Sequence, residues 1–227
     1  MILVVLGSGG QRTFVFCGEK KSGKSSLILK LFDDNPKEDL LPTTTALDFK
    51  YHTKTREDKK ATLNAYELGG GRLLSPLLKT CLSASRILDT TMCVCVDLSK
   101  PGNALESLVF WLEQIREQTR AVLQDLNQTN PAKIATLNSK LANVWAEHED
   151  RGKINVCPIP IIIICTKYDV FANENEPQRK KIICRALRFM AHNSGASLVF
   201  TSVREKESHL FKSLLLSHAF EGSAPER

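Results

Sequence analysis

The sequence has no run long enough to cross a bilayer as a helix. Its longest uncharged apolar stretch, residues 156–165, holds two prolines and falls far short of the roughly 20 residues required, so membrane insertion is not expected. Residues 1–6 are apolar but lack the charged flank of a signal peptide, and read as a truncated or alternative start. Seven cysteines are present without any CxxC pair, which argues against a zinc site or a redox dithiol. Cys17, Cys93, Cys95 and Cys165 sit in β-branched runs, where a free thiol behaves as a small buried hydrophobe. That usage suggests a reducing compartment. The five histidines, His52, His148, His192, His209 and His218, lack ligand spacing, and neither a nucleophile elbow nor a carboxylate pair stands out. No aromatic base-stacking signature marks the strands, and acids interrupt the basic runs, so nucleic acid is not an expected partner.

What remains is an ordinary folded chain. Its 227 residues, 42% hydrophobic and 25% charged, suffice for one full-sized α/β domain or two small ones. The net charge of +6 is modest and concentrates in residues 50–60 and 179–188, giving a weak preference for acidic partners.

Apolar, β-branched runs bounded by turn residues predict strands at 12–17, 46–54, 61–68, 90–98, 158–166 and 197–202. Helical patterns lie at 24–32, within 72–87, and at 104–126, 133–147, 178–192 and 206–220. This alternation implies βαβ units and a mostly parallel six-stranded sheet with helices on both faces. One connection, from Ser99 to Pro158, runs to about 60 residues, far beyond a single crossover. Leu105, Leu108, Val109, Leu112, Ile115, Thr119, Val122, Leu123 and Leu126 form one apolar stripe within it. Pro131 then restarts the chain, and Ile134, Leu137, Leu141 and Trp145 repeat the pattern. The insert reads as a helical hairpin projecting from the sheet, its stripes packed on the sheet or each other, or offered to another protein's helix.

Gly18-Glu19-Lys20-Lys21-Ser22-Gly23-Lys24-Ser25 matches GxxxxGK[ST] between a predicted strand and a predicted helix. Gly18 and Gly23 permit the turns that curl backbone N–H groups around a phosphate, with Lys21, Ser22 and Ser26 flanking the nest at the helix start. Lys24 is expected to reach the β- and γ-phosphates, and the Ser25 hydroxyl to ligate Mg²⁺. The alternative is a loop kept for its turn geometry and left empty.

The remaining stations of a guanine-nucleotide site follow in order at strand ends, in altered form. Leu41-Pro42-Thr43-Thr44-Thr45 offers a second Mg²⁺ ligand, assigned to Thr44 although three adjacent threonines leave the choice open. Glu67-Leu68-Gly69-Gly70-Gly71 stands in the place of DxxGQ, with Glu67 one methylene longer than aspartate, Gly70 at the glycine of that motif as a nucleotide-binding candidate and Gly71 where glutamine would orient water. Efficient GTP hydrolysis is not expected of it. Thr166-Lys167-Tyr168-Asp169 resembles NKxD, and Thr166 in place of asparagine loses an amide that bonds both base and phosphate loop, weakening affinity by roughly 1–3 kcal/mol. Ser202 and Val203 stand where a backbone N–H would meet the guanine carbonyl. The expected ligand is GDP or GTP with Mg²⁺, held as a stabiliser; the alternatives are an active small GTPase switch, or a P-loop kinase, for which no arginine-rich lid is evident.

Phe14-Val15-Phe16, Tyr66-Glu67-Leu68-Gly69-Gly70-Gly71, Asp97-Leu98-Ser99-Lys100-Pro101 and Lys167-Tyr168-Asp169-Val170-Phe171 together resemble the dynein light intermediate chain family, in its cytoplasmic dynein 2 form. So do residues 185–192 and 195–202. The resemblance spans residues 12–220 and implies a Ras-like P-loop fold, with the helical insert at about 102–151 preceding the fifth strand, a short leader at 1–11 and a flexible tail at 221–227. It implies a non-catalytic motor subunit that binds the dynein 2 heavy chain and other dynein 2 subunits, works with the intraflagellar transport machinery and associates indirectly with microtubules. The implied places are cytoplasm, cytoskeleton and cilium, at axoneme and basal body. Compared with the family, most of the leader and the carboxyl-terminal extension are expected to be missing.

Overall fold

The computed structural model describes residues 10–33, 43–56, 59–146, 148–150, 152–174, 176–202 and 211–215. Most of the leader, all of the tail, Leu41, Pro42, Val203 and most of the expected last helix lie outside them; residues 211–215 of that helix are helical. The strands are β1 (Gly10–Gly18), β2 (Leu47–Arg56), β3 (Lys59–Leu68), β4 (Thr90–Asp97), β5 (Ile161–Thr166) and β6 (Ser197–Phe200). They form one sheet in the order β2-β3-β1-β4-β5-β6, parallel throughout except for the β2–β3 pair. The mostly parallel α/β architecture expected from the sequence is the one found.

Alternation of side chains divides the core between the two faces of this sheet. Phe14 and Phe16 of β1 point to one side, against Leu27, Ile28 and Leu31 of α1 (Lys24–Phe32) and against Phe211 and Leu215. Val15 and Cys17 point to the other, into a larger cluster shared with α3 (Pro101–Thr129), α4 (Pro131–Val144) and α6 (Pro177–Asn193). Covered on both faces, β4 and β5 are buried at nearly every position and mostly apolar, as expected of parallel central strands.

The insert does not project. Ala104, Leu108, Trp111, Leu112, Ile115, Thr119, Val122 and Leu126 are buried along α3, which lies against β4 and β1, while α4 folds back on α3 with Leu137 buried between them. An isolated hairpin would leave the sheet's apolar face wet, so the stripe is spent on the core. Val109, included in the stripe by sequence, is turned outward, and Trp111, omitted from it, is fully buried. Between β3 and β4 the expected helix is irregular: 3₁₀ turns over Gly71–Leu77, where Pro76 intervenes, then one helical turn, α2 (Leu78–Cys81). A short helix the sequence reading did not anticipate, α5 (Tyr168–Glu174), follows β5 directly.

Candidate functional site

Parallel strands bring the carboxyl ends of β1, β3, β4, β5 and β6 to one edge of the sheet, where ligands of such folds gather. The β1-to-α1 turn occupies its centre. Gly18 has φ 147°, and a Cβ there would lie 2.4 Å from the Cys95 carbonyl oxygen, so only glycine fits. Gly23 is left-handed, as is the exposed Lys21, and these reversals curl the loop before Lys24 opens α1. Gly23 supplies no side-chain cap, so the first-turn N–H groups of α1, reaching to the half-buried Ser25 and Ser26, are left for another acceptor.

Lys24 is buried and bent back over its own loop. Its ammonium donates to the carbonyl oxygens of Gly18 (3.2 Å) and Glu19 (2.8 Å) and approaches the buried Ser22 hydroxyl at 3.5 Å. Ser25 donates its hydroxyl to Glu67 Oε1 at 2.7 Å, and Glu67 is itself buried at the end of β3. The longer carboxylate therefore still reaches the helix start.

Of the three adjacent threonines, Thr44 is half-buried while Thr43 and Thr45 are exposed. Its carbonyl oxygen lies where a Cβ on Gly69 would be 2.4 Å away, which places Thr44 against the turn that follows β3. Gly70 and Gly71 are both left-handed, and a Cβ on Gly71 would stand 3.3 Å from Lys20 N and from Glu19 Oε2. Arg72 then bridges to the loop, donating from Nε to Glu19 Oε1 at 2.5 Å and from Nη1 to Glu106 Oε1 of α3 at 2.6 Å. The guanidinium covers the Phe110 ring at 5.0 Å, and its two carboxylates, Glu19 foremost, raise its already high pKa. Nothing in the local sequence marked Arg72, because its partners lie 53 and 34 residues away.

On the other flank, the loss assigned to Thr166 is only partial. Thr166 Oγ1 lies 3.0 Å from the Ser22 carbonyl oxygen and 3.2 Å from that of Val96, so a buried hydroxyl keeps the link to the phosphate loop that an amide would make. Lys167, at φ 56°, pairs with Asp97, whose other oxygen accepts from the backbone N–H and hydroxyl of Ser99. The β4–β5 register, with Asp97 opposite Thr166, makes that pairing possible. Asp97 was legible only as part of the Asp97–Pro101 run, not as the anchor of Lys167. Asp169 sits in the first turn of α5, with Oδ1 buried and without a hydrogen-bond partner among the described residues. Ser202 is buried just beyond β6.

The site offers no activated thiol. Burial raises the thiol pKa of Cys17, Cys93 and Cys165, and holds Cys95, the register partner of Gly18 on the neighbouring strand, at about 12. Among the described residues no cluster of three or more histidine, cysteine or carboxylate side chains could hold a metal by itself. A Mg²⁺ ion here would depend on the Ser25 hydroxyl and on Thr44, with the remaining ligands supplied by phosphate and water.

The dynein light intermediate chain family model matches residues 6–154 and 149–220. The mouse cytoplasmic dynein 2 light intermediate chain 1 is 32% identical over 199 residues, covering 86% of this chain and 56% of the relative. The mouse cytoplasmic dynein 1 light intermediate chain 1 is 25% identical, over 87% of this chain and 43% of the relative. A crystal structure of the conserved domain of a dynein light intermediate chain superposes with a TM-score of 0.64 at 17% identity, covering 96% of this chain and 77% of that one. This chain thus spans about half the length of the curated relatives it matches. Family match, fold and the order of strand-end motifs agree, and the chain belongs to the dynein light intermediate chain family.

Proposed function

We propose that this chain is a non-catalytic subunit of a dynein 2 motor. In this reading it binds the heavy chain and associates with the other dynein 2 subunits and the intraflagellar transport machinery. It serves retrograde transport and cilium assembly in the cytoplasm, on the cytoskeleton and in the cilium, touching microtubules only through the motor. Similarity to dynein 2 light intermediate chains over 86% of the chain supports the assignment.

The phosphate loop, in this reading, holds GDP or GTP with Mg²⁺. Gly18, Lys21, Ser22, Gly23, Lys24, Ser25 and Ser26 surround the phosphates, Ser25 and Thr44 meet the metal, and Glu67 and Gly70 close the third side. Thr166, Lys167, Asp169 and Ser202 face the base, and Val203 is assigned to the same station from its place in the sequence. The unpartnered Asp169 Oδ1 fits this use, since a buried acceptor requires an N–H donor and the guanine ring carries one on that edge. A bound nucleotide stabilises the folded chain by mass action and is not consumed.

The observation that carries the non-catalytic reading is Gly71. It has no side chain to orient water, it is left-handed, and it is wedged against Lys20 N and Glu19. Chromatography of nucleotide released from the purified chain reports whether the site is filled. Multiple-turnover GTP hydrolysis faster than about 1 per minute, well above the intrinsic rate of a G domain, would defeat this reading in favour of an active switch.

A further inference from the structure

The basic run at 179–188 lies on α6, and the nucleotide site makes no use of it. This helix already has a complete inner stripe, with Ile183, Leu187 and Ala191 buried. Ile182 and Phe189, seven residues and two turns apart, fall on the opposite side, and each is 66% exposed. Arg179, Lys181, Arg185 and Arg188 are exposed around them. No carboxylate occurs within Pro177–Asn193, and among the described residues none of these four cations is in an ion pair. Lys180, by contrast, turns inward to the Ala172 carbonyl oxygen.

A surface helix gains stability from alternating charge, and like charges at three- and four-residue spacing repel. This one carries cations that meet no carboxylate among the described residues, Arg188 lying over the Phe200 ring at 6.0 Å, beside two large apolar side chains, the composition of a surface completed by something acidic and partly apolar. We propose that the outer face of α6 is the docking surface for an acidic segment of the motor heavy chain, with carboxylates flanking an apolar pocket. The proposal rests on the heavy-chain reading above and adds the surface used. A second copy of this chain is a poor occupant, since the same cations would face one another. A bilayer is a poor one too: the inner face of α6 is held on the sheet, so the helix cannot sink its apolar side between headgroups, and only two apolar side chains face outward.

The test co-expresses the full chain with the dynein 2 heavy chain and measures affinity for wild type, Lys181→Glu/Arg185→Glu, Ile182→Ser/Phe189→Ser, and the control Arg120→Glu on the exposed side of α3. All of these positions are exposed, so thermal melting stays at the wild-type value and separates binding from folding. Each double variant is expected to lose about tenfold or more in affinity while the control is unaffected, and added salt weakens wild type more than the charge-reversed variant. Wild-type affinity in both double variants overturns the surface assignment and leaves the heavy-chain reading standing. Failure of wild type to bind the heavy chain overturns both. Sedimentation of wild type with phosphatidylserine vesicles, lost in Ile182→Ser/Phe189→Ser, makes α6 a membrane contact and overturns the proposal.

Discussion

The Thr166 hydroxyl sits 3.0 Å from the backbone carbonyl oxygen of Ser22, joining the end of β5 to the phosphate loop with one buried hydrogen bond. Thr166 also packs its methyl 3.6 Å from where a Cβ on Gly23 would be, so this side chain closes the loop from below. The two halves of the site are thereby tied together by the chain's own groups.

Thr166→Val keeps the shape and removes the donor. Two buried carbonyl oxygens, of Ser22 and Val96, then lose a shared proton. The expected cost is about 1–2 kcal/mol, read as a fall of roughly 2–8 °C in melting temperature for a chain of this size. Thr166→Ser retains the hydroxyl and is expected to recover most of the loss. Equal melting of Val and Thr forms would show that the bond contributes nothing.

Arg72 anchors the segment after β3 to both the phosphate loop and α3. The Arg72 and Glu19 side chains are 37% and 34% exposed, so the pair adds less than about 1 kcal/mol to global stability. Its effect is local. Arg72→Ala is expected to leave the melting temperature nearly unchanged while amide hydrogen exchange accelerates across residues 71–81. Arg72→Lys should not restore protection, because one ammonium cannot reproduce the fork that meets Glu19, Glu106 and the Phe110 ring together. Unchanged exchange in Arg72→Ala would remove the anchor from the account.

The buried thiols give stability a defined alkaline limit. Burial raises the folded pKa of Cys95 to about 12 and of Cys81 to about 11, from 9.0 in the unfolded chain. Below pH 9 both states keep the proton and stability is intact. Above it the unfolded chain ionises while the folded chain does not, so stability falls by up to about 1.4 kcal/mol per pH unit for each such thiol, until its folded pKa is reached. Urea unfolding midpoints measured from pH 7 to 10.5 are expected to hold level and then drop, and Cys95→Ala should make the drop shallower. A profile flat through pH 10.5 would contradict the burial of these groups.

The sheet was legible because central strands such as β5 are apolar at every position up to a last threonine, a signal that needs no partner to interpret. The bounds of α1 were legible for a related reason: Gly23 and the phosphate loop fix its start, and its apolar spacing ends at Phe32. Contacts made by tertiary register were not. Asp97 meets Lys167 only because β4 and β5 pair in one register, and Arg72 finds Glu19 only once β3 lies beside β1. Thr44 was separable from its neighbours only in three dimensions, by its partial burial and its approach to Gly69. The short helix α5 was hidden because Tyr168–Asp169 reads first as part of a binding motif.

Trp111 decides whether the insert is appendage or core. It is the largest fully buried side chain, packed edge-on against Phe110 at 5.3 Å in the cluster that covers β4. Trp111→Ala is expected to cost roughly 3–5 kcal/mol, a large share of the 5–15 kcal/mol typical of a domain. Its indole Nε1 has no hydrogen-bond partner among the described residues, so Trp111→Phe gives up packing volume but also removes an unsatisfied donor, and should cost less than half as much. Replacing residues 102–151 by a short linker would strip Leu108, Trp111, Leu112 and Ile115 from the sheet and expose Val94 and Val96. That variant is expected to aggregate, with no cooperative melting. A soluble deletion with a sharp thermal transition would mean that the sheet closes without α3, and would return the insert to the role of a separate arm.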